Sequence, residues 1–194
     1  MPPAATLILA STSPRRRALL GALGRPFTVD AADLDESQRP GERPAAYASR
    51  LALAKAHAVA GRVGQSGHLV VGADTIVVLD DTILGKPASP DEARAYLRRL
   101  RGRRHVVITA VAVVDAASGS SWEGLAWTGV WLRAFSDEEL EAYVATGDPL
   151  DKAGAYAIQH GDFRPVARLE GSELNVIGLP LMLLEQLLNL AECG

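Results

Sequence analysis

The chain is short of cysteine, lysine, aromatic residues and long apolar runs, and the shortages of cysteine and of apolar runs each remove a class of protein. Its single cysteine, Cys193, sits one residue from the C-terminal Gly194, so no intramolecular disulfide framework can form, and it is neither placed nor partnered like a catalytic thiol. No uninterrupted apolar stretch approaches the roughly 18 residues of a membrane span. The opening MPPAATLILASTSPRRR carries its arginines after the apolar segment, the reverse of a secretory signal, so a cytoplasmic location is expected. His57, His68, His105 and His160 are scattered without zinc-like spacing and are expected as surface or packing residues. Walker A, GxGxxG and GxSxG patterns are missing, which argues against kinase, Rossmann dehydrogenase and α/β-hydrolase readings.

What remains is the composition of a soluble globular chain: 194 residues, 48% hydrophobic, 22% charged, with a formal net charge of -3. That length suits one domain over residues 1–194, either a single core or two lobes, and no repeat or low-complexity tract divides it. The negative charge gives no global attraction for nucleic acid, and no stripe of basic and aromatic residues appears; the arginine run at Arg99–Arg104 reads as surface charge. Any anion site must therefore be local. Of 20 cationic Lys and Arg side chains, three are lysines, Lys55, Lys86 and Lys152. Where arginine is the default cation, a retained lysine either marks a place where a compact ammonium serves better than a planar fork or has been kept by chance.

Patterning predicts an α/β protein with a mixed sheet. Leu7–Leu9 is a short buried strand, Ser13 caps a helix opened by Pro14, and Leu19, Leu20 and Leu23 give that helix its apolar stripe. Phe27–Val29 reads as a strand before an acidic, Pro- and Gly-bearing loop. Residues 45–60 form an alanine-rich helix with Tyr47, Leu51, Ala54 and Ala58 on one side, followed by a turn at GRVGQSG. His68–Pro87 reads as a strand, a small-residue interruption and a hairpin ending in an exposed Lys86. Ser89 with Glu92 and Ser136 with Glu139 announce capping boxes. Between them RHVVITAVAVVD and SWEGLAWTGVWLRAF are the arms of a hairpin. RPVARLEG reads as a further strand, and a last helix begins near Pro180.

Two groups of residues carry chemistry. Arg15 and Arg16 occupy the first turn of the opening helix, where the macrodipole is already positive; either an anion resolves that conflict, with serine hydroxyls, free N–H groups and guanidinium groups making a phosphate cradle, or the arginines are solvated and Ser13-Pro14 merely starts the helix. The opposing group is acidic. Asp74 in VVGADTIVV lies between β-branched apolar runs, costly to bury without a cation or metal, among small residues that allow a ligand to approach. At the end of a buried strand it could hold a divalent ion or polarise water; the bland alternative is an Asx turn ending that strand. Glu36 could supply a second carboxylate for Mg²⁺, or simply be solvated in its loop. Lys86, between Gly85 and Pro87, is a candidate phosphate ligand. Gln159 in AYAIQHG could read a base edge, because an amide presents a donor and an acceptor together, or could be structural.

LASTSPRRRALL, LDE at Leu34–Glu36, RLALAKA around Lys55, VVGADTIVV, LGKP, RGRRHVVITAV, DPLDKAGAYAIQ and NVIGLPL follow one another in an order that resembles the Maf family of nucleoside triphosphate pyrophosphatases, over nearly the whole chain. The resemblance implies an elongated Maf/ITPase-like α/β fold with two lobes around a deep cleft. It implies metal-dependent cleavage, with Mg²⁺ or Mn²⁺, of a nucleoside triphosphate between the α and β phosphates. In that family's pattern Asp74 is the proton acceptor and Glu36 lines the cleft; read as a pair of carboxylates, Asp74 and Glu36 are expected to share the metal. Arg15, Thr75 and Gln159 select the substrate, and Ser13, Lys55 and Lys86 line the cleft. The DKAGAYAIQ version is similar to the branch acting on dTTP and UTP, with Ala157 replacing a more usual Gly, and the ELN before VIGLP departs from commoner small polar residues. A homodimer is the default assembly. The rival reading is a nucleotide-binding regulator of septation without turnover, which would have no need of a catalytic carboxylate beside its cations.

Overall fold

The computed structural model describes residues 5–31, 33–64 and 67–193, and these form two compact units. The first is built from the described residues up to Asp74, from Thr109–Ala126 and from Gly178 onward. Its β1 (Thr6–Leu9) pairs in parallel with β2 (Phe27–Val29) on one side and with the start of β3 (His68–Leu79) on the other, Leu7 opposite Phe27 and Leu69. Side chains alternate across a strand. Leu7, Leu9, Leu69, Val71 and Ala73 accordingly share one face with Leu20 of α1 (Pro14–Gly21) and Leu184, Leu187 and Leu188 of α6 (Leu181–Cys193).

The opposite face of β3 meets α2 (Pro44–Val63), and here three sequence expectations are corrected. The buried positions of α2 are Ala48, Leu51, Ala52, Ala56, Val59 and Ala60, whereas Tyr47, Ala54 and Ala58 are partly exposed. In a helix that is alanine nearly all round, side-chain size does not mark the inner face; the partner strand does. Gly61–Val63, expected in a turn, continue the helix to a left-handed Gly64 (φ 55°), with Gln65 and Ser66 of that expected turn outside the described residues. The small residues Gly72 and Ala73 do not interrupt β3, which runs unbroken for 12 residues.

The second unit comprises Thr75–Ile108 and Trp127–Ile177. The end of β3 turns through Asp80 and Asp81 (φ 50° and 60°) into antiparallel β4 (Thr82–Leu84), the two left-handed residues that a tight hairpin demands and that aspartate tolerates. The long arm β5 (Arg104–Asp115) matches the sequence reading, β6 (Ser121–Leu132) stops three residues short of the expected Phe135, and β7 (Val166–Glu170) adds antiparallel to β6. Among the described residues seven strands pair in the mixed order β2-β1-β3-β5-β6-β7, with β4 on β3. Helices α3 (Pro90–Leu100) and α4 (Asp137–Ala145) bury Leu97, Leu100, Leu140 and Tyr143 against Val77, Leu79, Val107, Val130 and Leu132. The capping box at Ser136 and Glu139 is complete. At Ser89 only the hydroxyl half forms, because the Glu92 carboxylate reaches past the cap to the N–H of Ala88, 2.7 Å away. A short α5 (Glu173–Ile177) closes the unit.

Candidate active site

Asp74 lies in the middle of a buried strand, not at its end, and no turn explains it. Being two residues after Gly72, it points to the same side of β3, toward α2. Gly72 has a specific reason there: a methyl group on it would overlap the carbonyl oxygen of Ala52 and lie 3.0 Å from Cβ of Ala56. Strand and helix backbones therefore touch, and Lys55, one residue before Ala56, is carried to the carboxylate. Its Nζ lies 2.7 Å from Oδ1 of Asp74 and 2.8 Å from Oε1 of Glu36. One ammonium thus joins the buried carboxylate to an exposed one. Burial pushes the Asp74 carboxyl above its ordinary value, with Lys55 and then Arg16 pulling the other way.

Glu36 is held by the loop that carries it. Tyr47 donates its hydroxyl hydrogen to the Glu36 carbonyl (2.8 Å), and Asp35 accepts from the Ser37 N–H (2.9 Å). Arg50 clamps Glu42 with two bonds of 2.6 and 2.7 Å while donating to the Ser37 carbonyl. Glu36 and Tyr47 stand 11 residues apart, and no local pattern links them.

At the opening helix Ser13 is the N-cap, its hydroxyl accepting from the Arg16 N–H at 3.4 Å. Sequence reading missed Ser11, a buried residue whose Oγ accepts from the Ser13 N–H (3.2 Å) and from Nη1 of Arg16 (3.4 Å). The sequence points to Arg15 and not Arg16 for the substrate. Arg16 is tethered: Nε donates to the Gly178 carbonyl at 2.9 Å. Burial lowers the affinity of its guanidinium for its proton, and the charges of Asp74 and Glu36 act against that loss, so all three share one field. Arg15 is partly buried and Arg17 exposed.

In the second unit Thr75 is partly buried and Lys86 is exposed. Gly85, beside Lys86, accepts a backbone hydrogen bond from Gly154 (3.1 Å), so two loops rich in candidate residues are tied together. Gly154 is left-handed (φ 70°) and packs against Val77. Lys152, the third lysine, is buried and donates to the carbonyl and Oδ1 of Asp148 and to Oδ1 of Asp151, all within 2.6–2.7 Å. Asp148 in turn accepts from the Tyr143 hydroxyl (2.9 Å), whose oxygen accepts from the Ala157 N–H (3.0 Å). Tyr156 pairs with the buried His105 through Nε2 (2.7 Å), and burial drives that imidazole down to about 4. Two latches therefore fix the backbone that leads to Gln159, whose side chain is exposed and donates to Glu173.

Could these residues hold the divalent cation that the sequence implies? Asp74 and Glu36 present oxygens that both reach one ammonium, a spacing compatible with joint ligation. Among the described residues no group of three or more His, Cys, Asp or Glu gathers into a protein-only cage. A pair of carboxylates that leaves other positions to water and phosphate is the donor set that suits Mg²⁺, so the residues fit.

The family model described as Maf-like protein matches residues 6–191, which reaches into both units and includes every candidate site residue. The chain belongs to the Maf-like family. Among its relatives, the dTTP/UTP pyrophosphatase of Moorella thermoacetica is 52% identical over 182 residues, 94% of this chain and 93% of that protein. That of Geobacter metallireducens is 48% identical over 181 residues, 93% of each. Among solved structures, the Staphylococcus aureus Ham1 protein aligns over 66% of this chain and 71% of its own, with 12% identity and a TM-score of 0.49. Among the described residues no helix of this Maf-like chain is long and apolar enough to cross a membrane.

Proposed function

We propose that this Maf-like protein is a nucleoside triphosphate pyrophosphatase of the cytoplasm, hydrolysing dTTP and UTP to the monophosphate and pyrophosphate. The observation that carries the reading is the buried Asp74, held by Lys55 and lying in the field of the tethered Arg16, in a chain about half identical to relatives named for that reaction. Asp74 accepts the proton of the attacking water. Its burial, which disfavours the charged form, raises its basicity toward the range where proton transfer at neutral pH is efficient. The bond between the α-phosphorus and the bridging oxygen breaks as the water oxygen adds, and pyrophosphate leaves.

Glu36 and Asp74 would hold Mg²⁺ or Mn²⁺, which supplies charge neutralisation to the phosphates. Lys55 keeps the two carboxylates from repelling each other and, with Arg16 and the candidate ligand Arg15, offsets the charge of the triphosphate. Ser13 contributes by capping the helix that presents these arginines. In the second unit Thr75, Lys86 and Gln159 are the proposed substrate contacts. The test is a panel of canonical and modified triphosphates with Mg²⁺ or Mn²⁺, pyrophosphate and orthophosphate being measured separately. Pyrophosphate released in step with monophosphate from dTTP and UTP is expected; orthophosphate as the sole inorganic product overturns the assignment.

A further inference from the structure

Glu173 opens α5 at the ELN departure, a position that sequence alone leaves as surface variation. Its Oε1 accepts a 2.8 Å hydrogen bond from Nε2 of Gln159. A carboxylate offers acceptors only, so it can hold the NH₂ end of an amide and never the carbonyl end. The orientation of the Gln159 amide therefore follows from the chemistry of its neighbour. One N–H is engaged by Glu173, and Oε1 with the second N–H remains for a ligand.

The two ends of an amide distinguish pyrimidines. Uracil and thymine present an N3–H donor beside the O4 acceptor, whereas cytosine presents the opposite pair, an N3 acceptor beside the N4 amino donor. A glutamine free to turn over would serve either edge. The segment before Gln159 is held at the Ala157 N–H by the Tyr143 hydroxyl and at the Tyr156 side chain by His105, and Glu173 removes the turned-over state of the amide it carries.

We propose that Glu173 is a specificity-determining residue, which by holding Nε2 of Gln159 fixes one amide polarity and so admits uracil and thymine nucleotides while rejecting cytosine nucleotides. This rests on the pyrophosphatase reading above. Glu173 acts through Gln159 and touches no reacting atom.

The experiment measures kcat and KM for pyrophosphate release from UTP, dTTP, CTP and dCTP by the full chain and by Glu173→Gln and Glu173→Lys, with melting temperatures for each. Glutamine at 173 keeps the size but offers either amide end, so the UTP-to-CTP ratio of kcat/KM falls about tenfold, the value of one hydrogen bond to a charged group. Lysine is a donor only; it would hold the Gln159 carbonyl, turn NH₂ toward the base and move the ratio further toward CTP. Should either variant fold poorly, Glu173→Ala carries the same expectation as Glu173→Gln. Rates that fall equally for all four nucleotides, or ratios that stay at the wild-type value, overturn the role of Glu173 and leave the activity standing. A wild-type chain that releases no pyrophosphate from UTP or dTTP overturns the activity and this inference with it.

Discussion

Gly72→Ala tests the contact on which the site's geometry depends. The added methyl would overlap the Ala52 carbonyl oxygen and sit 3.0 Å from both Cβ and N of Ala56, and none of these atoms is the mobile tip of a side chain. β3 lies between β1 and β5 in the sheet and cannot retreat without disturbing both neighbours, so α2 must move outward. Overpacking of this kind costs about 1–3 kcal/mol, and a backbone obstacle places this case near the upper end. For a chain of this size that is a fall of about 6–12 °C in melting temperature. The displacement also carries Lys55 away from Asp74, whose 2.7 Å contact depends on helix position, and misplacement by about 1 Å can cost 100-fold in turnover. Gly61→Ala on the same helix is the control: its methyl meets nothing within 4 Å, and replacing a helical glycine gains about 0.5–1 kcal/mol. Thermal and urea melts followed by circular dichroism, with pyrophosphate release alongside, check both signs. If Gly72→Ala melts within about 0.5 kcal/mol of wild type, the close strand–helix approach does not exist and the argument for Lys55 fails.

Asp74→Asn should fold and lose at least about 100-fold in turnover, together with the acid limb of the kcat/KM profile, which in wild type should lie above the ordinary carboxylate value of 3.8. Because burial raises the Asp74 value, the stability contributed by its neutral form is present below 3.8 and lost as pH rises through the raised value. The variant should therefore gain in melting temperature relative to wild type across that window, and a parallel pH dependence would contradict the burial argument. Lys86→Met, an exposed change, should leave stability within about 0.5 kcal/mol and lower kcat/KM for the triphosphate about 10- to 100-fold. A large fall in melting temperature would assign Lys86 a structural role instead.

Much of the fold was legible because the local signals agree with the tertiary outcome. Ser13-Pro14, Ser89-Pro90 and Ser136 start helices where caps predict, and both arms of the β5–β6 hairpin begin where the apolar runs do. The inner face of α2 was not legible, because alanine on every side carries no amphipathic signal, and the continuity of β3 through Gly72 was not, because glycine in a strand reads locally as a break. The candidate carboxylates and lysines were chosen from the sequence, but not their pairing.

Sequence alone is enough for most of the element order, for the family and for the residue types of a triphosphate site, an isolated aspartate between apolar runs, a serine-capped arginine turn and three lysines in a chain that otherwise uses arginine, but not for α5 or the unbroken β3. Tertiary structure decided who meets whom. Lys55 bridges Asp74 and Glu36 because Gly72 lets α2 touch the sheet, and Arg16 is tethered because the Gly178 carbonyl faces it. Glu173 acquires a place beside Gln159 because α5 folds back beside that loop. The physical reason is common to all three. Hydrogen bonds and ion pairs act over about 3 Å, and residues 14 to 162 positions apart reach that distance only through the fold.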